Sequence, residues 1–347
     1  FGAMRRKLLY FRTMVSRPVG RWRPGARGVG AALVLAIGTG IFASQTSPPL
    51  QRTISFGHVS AVAFSPSGQY LAVGARNHAI QIVDTSAWRT VRTLEGHTGS
   101  VNSLVWSPDS ELLVSGSDDA TIRVWAAPTG ETLHVLTGHA ACVTAVAFSP
   151  SAYVIASASC DTTAKLWDAT TGEEIRTLRG HADWVTTVAF SPEGTRLATG
   201  SYDTTVRIWE VATGLDLLTL QGHSDYLTAL AFSPDGAFLA SAARGGAFFS
   251  GEFKLWSATG GWEVRSTPHT SPITCIAFSP NGRVLATGSF DTAIRLWEAT
   301  TGRGLRTLTG HTGWVTSIAF SPDGTLLASG SRDGTVRLWD VSDLTGQ

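Results

Sequence analysis

His97, His139, His181, His223, His269 and His311 recur along the chain, with Asp119, Asp161, Asp203, Asp291 and Asp333 recurring beside them among many serines. Imidazole, carboxylate and hydroxyl are the parts of a Ser–His–Asp hydrolase, and imidazole with carboxylate can also hold a metal. The repetition argues against both. A set placed the same way in copy after copy is spread around the molecule and cannot converge on one substrate or one ion. The recurring groups therefore read as structural, and no catalytic residue, metal ligand, cofactor or small-molecule substrate is assigned.

The elements that must position these groups follow from the repeat. A residue opening a strand recurs at Val59, Val101, Val143, Val185, Leu227, Ile273 and Val315, at spacings of 42, 42, 42, 42, 46 and 42. Regular periods in this range are the mark of repeat architectures. The last copy reads GHTGWVTSIAFSPDGTLLASGSRDGTVRLWD. Within it, strand-like runs alternate with turns. SPDG has Pro where φ must be preset and Asp and Gly where later turn positions need them, and the β-branched runs between turns favour pleated strands. Four short antiparallel strands make one small sheet per copy. One such sheet cannot bury both faces, so neighbours must stack, and seven stacked radially close on themselves with few free edges. The fold class is thus all-β, a seven-bladed β-propeller of four-stranded antiparallel blades.

The Gly-His pairs at 96–97, 138–139, 180–181, 222–223 and 310–311, the Asp of the tight turn, and the tryptophans at 125, 167, 209, 256, 297 and 339 make residues 50–347 resemble the WD-repeat family. Asp follows that Trp only at Asp168 and Asp340, and Pro268-His269 departs from Gly-His. The resemblance implies hydrogen-bonded tetrads of His, turn Asp, a strand Ser or Thr, and Trp. They map onto His97, Asp119 and Trp125; His139, Asp161 and Trp167; His181, Asp203 and Trp209; His269, Asp291 and Trp297; and His311, Asp333 and Trp339. A buried indole N–H and imidazole need partners, and a chained network supplies them. Two copies lack a complete set. The first has Asn77 and Val83 in place of Asp and Trp, and its His58 stands too close to Val59; the fifth has no turn Asp and carries an insertion from Arg244 to Glu252, leaving His223 and Trp256 without the usual carboxylate link. Residues 50–55 look like an outer strand placed ahead of the first copy, while the last copy lacks one, so they are expected to complete the seventh blade and suppress an open edge.

Function belongs where equivalent positions differ. The resemblance implies that the residue before each opening strand and the residue before each turn Asp project onto the face of the His loops. The first set is His58, Ser100, Cys142, Trp184, Tyr226, Pro272 and Trp314, and the second is Arg76, Asp118, Cys160, Tyr202, Arg244, Phe290 and Arg332. Aromatics and arginines, the types enriched at interface hot spots, predominate. The expected partner-binding face is His58, Arg76, Trp184, Tyr202, Tyr226, Arg244, Phe290, Trp314 and Arg332. Phe248 and Phe249 at the insertion tip either join it or fold back onto their own blade.

The net charge of +1 divides unevenly: residues 1–52 hold nine bases and no acid, leaving eighteen bases against twenty-six acids in the body. An acidic body with no basic stripe gives no footprint for nucleic acid. Three cysteines are too few for a disulfide framework. Cys142 and Cys160 come close to opposite each other, but cross-strand geometry is often unfavourable, so free thiols are the favoured reading. Residues 28–46, apolar from Gly28 to Ala43, are expected to form one N-terminal hydrophobic helix after a basic tail at 1–27 and before a linker at 47–49. It reads as a transmembrane signal anchor, with a cleaved signal peptide or a buried core element as alternatives. As an anchor it leaves the basic tail cytoplasmic and the propeller on the periplasmic or extracellular side. The expected function is a membrane-tethered, non-enzymatic protein-interaction scaffold, an accessory subunit of a membrane complex whose other subunits are its partners. A secreted or periplasmic soluble propeller is the alternative, and a propeller enzyme a third class.

Overall fold

The β-branched run after each histidine loop becomes the first strand of a blade: Val59–Phe64, Val101–Trp106, Val143–Phe148, Val185–Phe190, Leu227–Phe232, Ile273–Phe278 and Val315–Phe320. These are the seven expected openings, residue for residue. The computed structural model describes residues 50–245 and 250–346. The tail at 1–27, the apolar run at 28–46, the linker at 47–49, and Phe248 and Phe249 lie outside them. Among the described residues no helix is long and apolar enough to cross a membrane.

Seven four-stranded antiparallel sheets follow one another. Six of them use four consecutive strands; the seventh pairs Leu50–Ser55 with Thr335–Asp340, in the register Thr53↔Arg337 and Ile54↔Val336. The expected closure is therefore present. The seven first strands lie side by side in a ring, each against the next, with Val59–Phe64 returning to Val315–Phe320.

Second strands such as Leu112–Ser117 and Val154–Ser159 are buried almost along their whole length, because a neighbouring blade covers each face. Small residues let the blades approach: a Cβ on Gly116 would stand 2.7 Å from Val143 Cγ1. Apolar side chains gather between blades, as where Ile80, Ile82 and Leu94 of blade 1 meet Val101, Leu113 and Trp125 of blade 2. Burial of this kind is the dominant favourable contribution to folding.

A ring of side-chain hydrogen bonds adds direction to the packing. The second residue of a first strand donates to a backbone carbonyl of the next blade: Ser60 to Val101, Asn102 to Val143 (2.9 Å), Thr144 to Val185 (2.7 Å), Thr186 to Leu227 (2.8 Å), Thr274 to Val315 (2.6 Å) and Thr316 to Val59 (3.0 Å). Thr228 instead bonds Ala242 of its own blade. The seam between blades 5 and 6, beside the insertion, is the exception to the series.

Candidate functional site

Four tetrads take their expected form. In blade 2, Trp125 Nε1 donates to Ser115 Oγ (2.9 Å), Ser115 Oγ meets His97 Nε2 (2.7 Å), and His97 Nδ1 meets Asp119 Oδ2 (2.9 Å). The same chain runs through Trp167, Ser157, His139 and Asp161; through Trp209, Thr199, His181 and Asp203; and through Trp339, Ser329, His311 and Asp333. Indole only donates and carboxylate only accepts, so the hydroxyl donates to Nε2 and the Nδ1–H donates to the carboxylate. The imidazole is neutral in that arrangement.

Two blades overturn the expectation, in opposite senses. Blade 5 is linked after all: His223 Nδ1 meets Glu252 Oε1 at 2.9 Å, while Ser241 Oγ bonds both His223 Nε2 (2.5 Å) and Trp256 Nε1 (2.7 Å). Glu252 stands four residues before the Trp, where the intact blades have Thr121, Thr163, Thr205 and Thr335, and its longer side chain replaces the missing turn Asp. That acid within the insertion was the signal to follow. Blade 6 has the expected residues, yet His269 does not meet Asp291. His269 Nδ1 bonds the Ser271 carbonyl (2.7 Å), and Asp291 pairs with Arg295 (2.7 Å). The Gly before the other five tetrad histidines has φ between +137° and +158°. Proline is fixed near −65° and cannot follow. Pro268 instead continues the strand Glu263–His269 against the lengthened strand Gly251–Ser257, carrying His269 off line. Ala293 also lacks the hydroxyl that Thr supplies at its position in the intact blades. Trp297 keeps its bond to Thr287 (2.9 Å).

The tetrads make stability depend on acidity. Burial pushes the Asp119 and Asp333 carboxyls up, but hydrogen bonds from Thr121, Thr98 and His97, and from Thr335, Thr312 and His311, outweigh it and hold both down at about 2. Burial lowers His97 and His311 against the pull of those carboxylates, and burial with Arg295 lowers His269 to about 4. Both shifts favour the folded state at higher pH. The histidine contribution is complete above the ordinary value of 6.5 and is lost toward about 4 for His269, and the carboxylate contribution is complete above 3.8 and lost toward about 2. The urea midpoint is expected to be flat above pH 6.5, to fall below it, and to fall more steeply below pH 4, on the order of 1 kcal/mol for each carboxylate after allowance for solvent screening. A midpoint unchanged from pH 7 to pH 3 would contradict this.

At the mouth of the His loops, one backbone bond recurs in every blade and places the two non-repeating sets side by side. Arg76 N–H donates to His58 C=O, Asp118 to Ser100, Cys160 to Cys142, Tyr202 to Trp184, Arg244 to Tyr226, Phe290 to Pro272 and Arg332 to Trp314, at 2.9–3.2 Å. His58 thus stands at this rim and outside any tetrad. On the regular frame the side chains form two runs. In the first, Trp184 packs on Tyr202 (5.2 Å between ring centroids), Tyr202 stacks on Tyr226 (4.1 Å), and Arg244 donates to the Tyr226 hydroxyl (3.1 Å). In the second, Phe290 stacks on Trp314 (3.8 Å) and Arg332 lies over Trp314 (3.9 Å). Each run crosses from one blade to the next. All these side chains are half-buried; Arg76 is exposed. Burial, and then Tyr226, push the Tyr202 hydroxyl far up, so it stays protonated.

Cys142 and Cys160 form a disulfide with Cα atoms 5.5 Å apart, which corrects the reading of two thiols. The two residues are not an ordinary ladder pair. They are held by the recurring rim bond, Cys160 N–H to Cys142 C=O at 3.0 Å, at a spacing typical of disulfides. Cys275 is a free thiol, pushed up to about 12 by burial. Among the described residues, no three His, Cys, Asp or Glu gather as metal ligands would.

Fold and face together define a seven-bladed propeller whose repeating polar groups bond one another and whose non-repeating residues collect at one rim, the form of a binding module. The WD domain, G-beta repeat model matches residues 49–84, 88–126, 130–168 and 302–340. The IFT122 first beta-propeller model matches residues 158–301. The chain therefore carries WD repeats. No curated protein matches it.

Proposed function

We propose that the chain is a non-enzymatic scaffold that binds another protein through the rim of the His loops. The observation that carries this reading is the pair of aromatic runs, Trp184–Tyr202–Tyr226 and Phe290–Trp314, each ending on an arginine. Half-buried aromatics on a rigid frame offer large contact area at little cost in side-chain order, and interface hot spots favour these types. The WD-repeat matches support the same reading, since such propellers usually act as scaffolds; that is an argument from fold rather than from a site. Partners recovered with the full chain from the native source are expected to be lost on Trp184→Ala, Tyr226→Ala and Trp314→Ala. They are expected to be kept on Gln69→Ala, an exposed residue at the other end of a first strand. Equal recovery with all four variants would sink the proposal.

The tether is a finer part of the proposal and rests on the sequence alone. Residues 28–46 follow a run of arginines and are uncharged from Gly28 to Ala43, which supports an anchor in a membrane complex with the propeller outside the cytoplasm. Mass measurement of the mature N-terminus separates this from a cleaved, soluble form.

A further inference from the structure

We propose that Arg332, Arg76 and His58, at the seam where blade 7 meets blade 1, form an anion site that takes the carboxylates of an acidic segment of a partner protein. The proposal rests on reading this rim as the partner surface, and it names the chemistry of the partner.

The geometry is built rather than incidental. Arg332 lies 3.9 Å over Trp314, which is itself stacked on Phe290 at 3.8 Å with an interplanar angle of 14°. Stacking engages one flat side of the guanidinium and leaves its in-plane N–H fork, the edge that matches a carboxylate, free to donate. Arg76 sits across the seam on blade 1, tied to His58 through its backbone N–H (3.0 Å). His58 brings a ring nitrogen, Nδ1, that is shielded from solvent and has no partner.

Among the described residues, several cations of the propeller are held by carboxylates and others, Arg123 and Arg337 among them, are not; this corner differs in gathering two such arginines beside one histidine. Lys165 pairs with Glu174, Arg207 with Asp216, Lys254 with Glu263, Arg295 with Asp291 and Arg306 with Asp343. Arg244, the remaining arginine of the rim, has the Tyr226 hydroxyl. Arg332 and Arg76 have no acidic partner among the described residues, and they act on each other and on His58. Burial and then Arg76 lower Arg332 to about 10; burial, then Arg76, then Arg332 lower His58. Like charges gathered beside an unpaired buried nitrogen are unfavourable until an anion arrives.

A polyphosphate chain fits the site poorly, because two guanidiniums are few and the body of the chain carries more acids than bases. An acidic peptide needs only a local pair of cations, and the Phe290–Trp314 stack gives it an apolar flank.

The test is fluorescence polarisation on the full chain with labelled hexaglutamate, hexaglutamine of the same label, and inorganic phosphate as competitor. Hexaglutamate is expected to bind about tenfold or more tightly than hexaglutamine, and to weaken about tenfold on Arg332→Gln and on Arg76→Gln. Arg332→Lys, which keeps the charge and loses the fork, is expected to fall between. Arg76 is exposed, so its variant reports on the site even if Arg332→Gln disturbs the fold. Equal binding of the two peptides, an unchanged affinity in Arg76→Gln, or a tighter constant for phosphate than for hexaglutamate would overturn the proposal. If hexaglutamate binding survives both arginine variants while partner recovery still falls with Trp184→Ala, this inference fails and the scaffold reading stands.

Discussion

Trp125→Ala is expected to cost about 3–5 kcal/mol of stability, read as a fall in the urea midpoint, with Trp125→Phe costing markedly less. Trp125 is 1% exposed and packs between blades 1 and 2 with Ile80, Leu94, Val101 and Leu113, so truncation leaves a cavity that two rigid sheets cannot collapse to fill. Its N–H also heads the chain through Ser115 to His97 and Asp119. Ser115→Ala separates the two effects. It leaves the volume nearly intact but strands the indole N–H and the His97 Nε2, at about 1–3 kcal/mol for each buried group. Thr287→Val in blade 6 strands the indole of Trp297 but costs His269 Nε2 only a long contact of 3.4 Å, and that nitrogen keeps Arg295 Nη1 at 3.4 Å. The Ser115 variant should therefore lose about twice as much as the Thr287 variant. Equal losses would mean that the histidine arm of the tetrad contributes nothing.

That contrast also marks where sequence stops specifying structure. The ring was legible because the seven openings from Val59 to Val315 repeat a pattern that only stacking can bury, and the sheets begin at those residues. The strand 50–55 was legible from the outer strand missing at the other end. The rim was legible as a set of positions, since one backbone bond recurs in all seven blades. The side-chain runs across it were not, because which ring lies on which depends on rotamers that a repeat does not encode. Blades 5 and 6 were misread because a tetrad is a matter of reach and backbone direction rather than of residue type. Glu252 succeeds from a position where Asp was not expected; His269 and Asp291 fail although both are present, since Pro268 denies the φ that glycine gives elsewhere. The disulfide is not legible from strand pairing, because Cys142 and Cys160 meet at the rim bond just beyond the ladder that ends at Val143 and Ser159.

The other large effect is expected at the closure. A chain beginning at Phe56, compared with one beginning at Leu50, should lose the seventh blade's outer strand and with it on the order of 3–5 kcal/mol, from a handful of ladder hydrogen bonds worth about 1 kcal/mol each. Leu50 lies opposite Trp339 and Ile54 opposite Val336, and Ile54 packs into the cluster shared by blades 7 and 1, so apolar burial is lost along with the ladder. The strand Thr335–Asp340 would then present unpaired N–H and C=O groups, a template for a second molecule. The shorter chain should unfold at lower urea and move to larger species in light scattering. The ring bond from Thr316 to Val59 and the neighbouring Phe56 N–H to Gly334 contact remain in both chains. If those inner bonds close the ring unaided, the two chains will unfold at the same urea concentration, and the outer strand is then a cover rather than the clasp. A lower midpoint in the shorter chain instead means that closure needs the edge strand as well, because the inner strands alone leave one blade of seven with an unpaired flank.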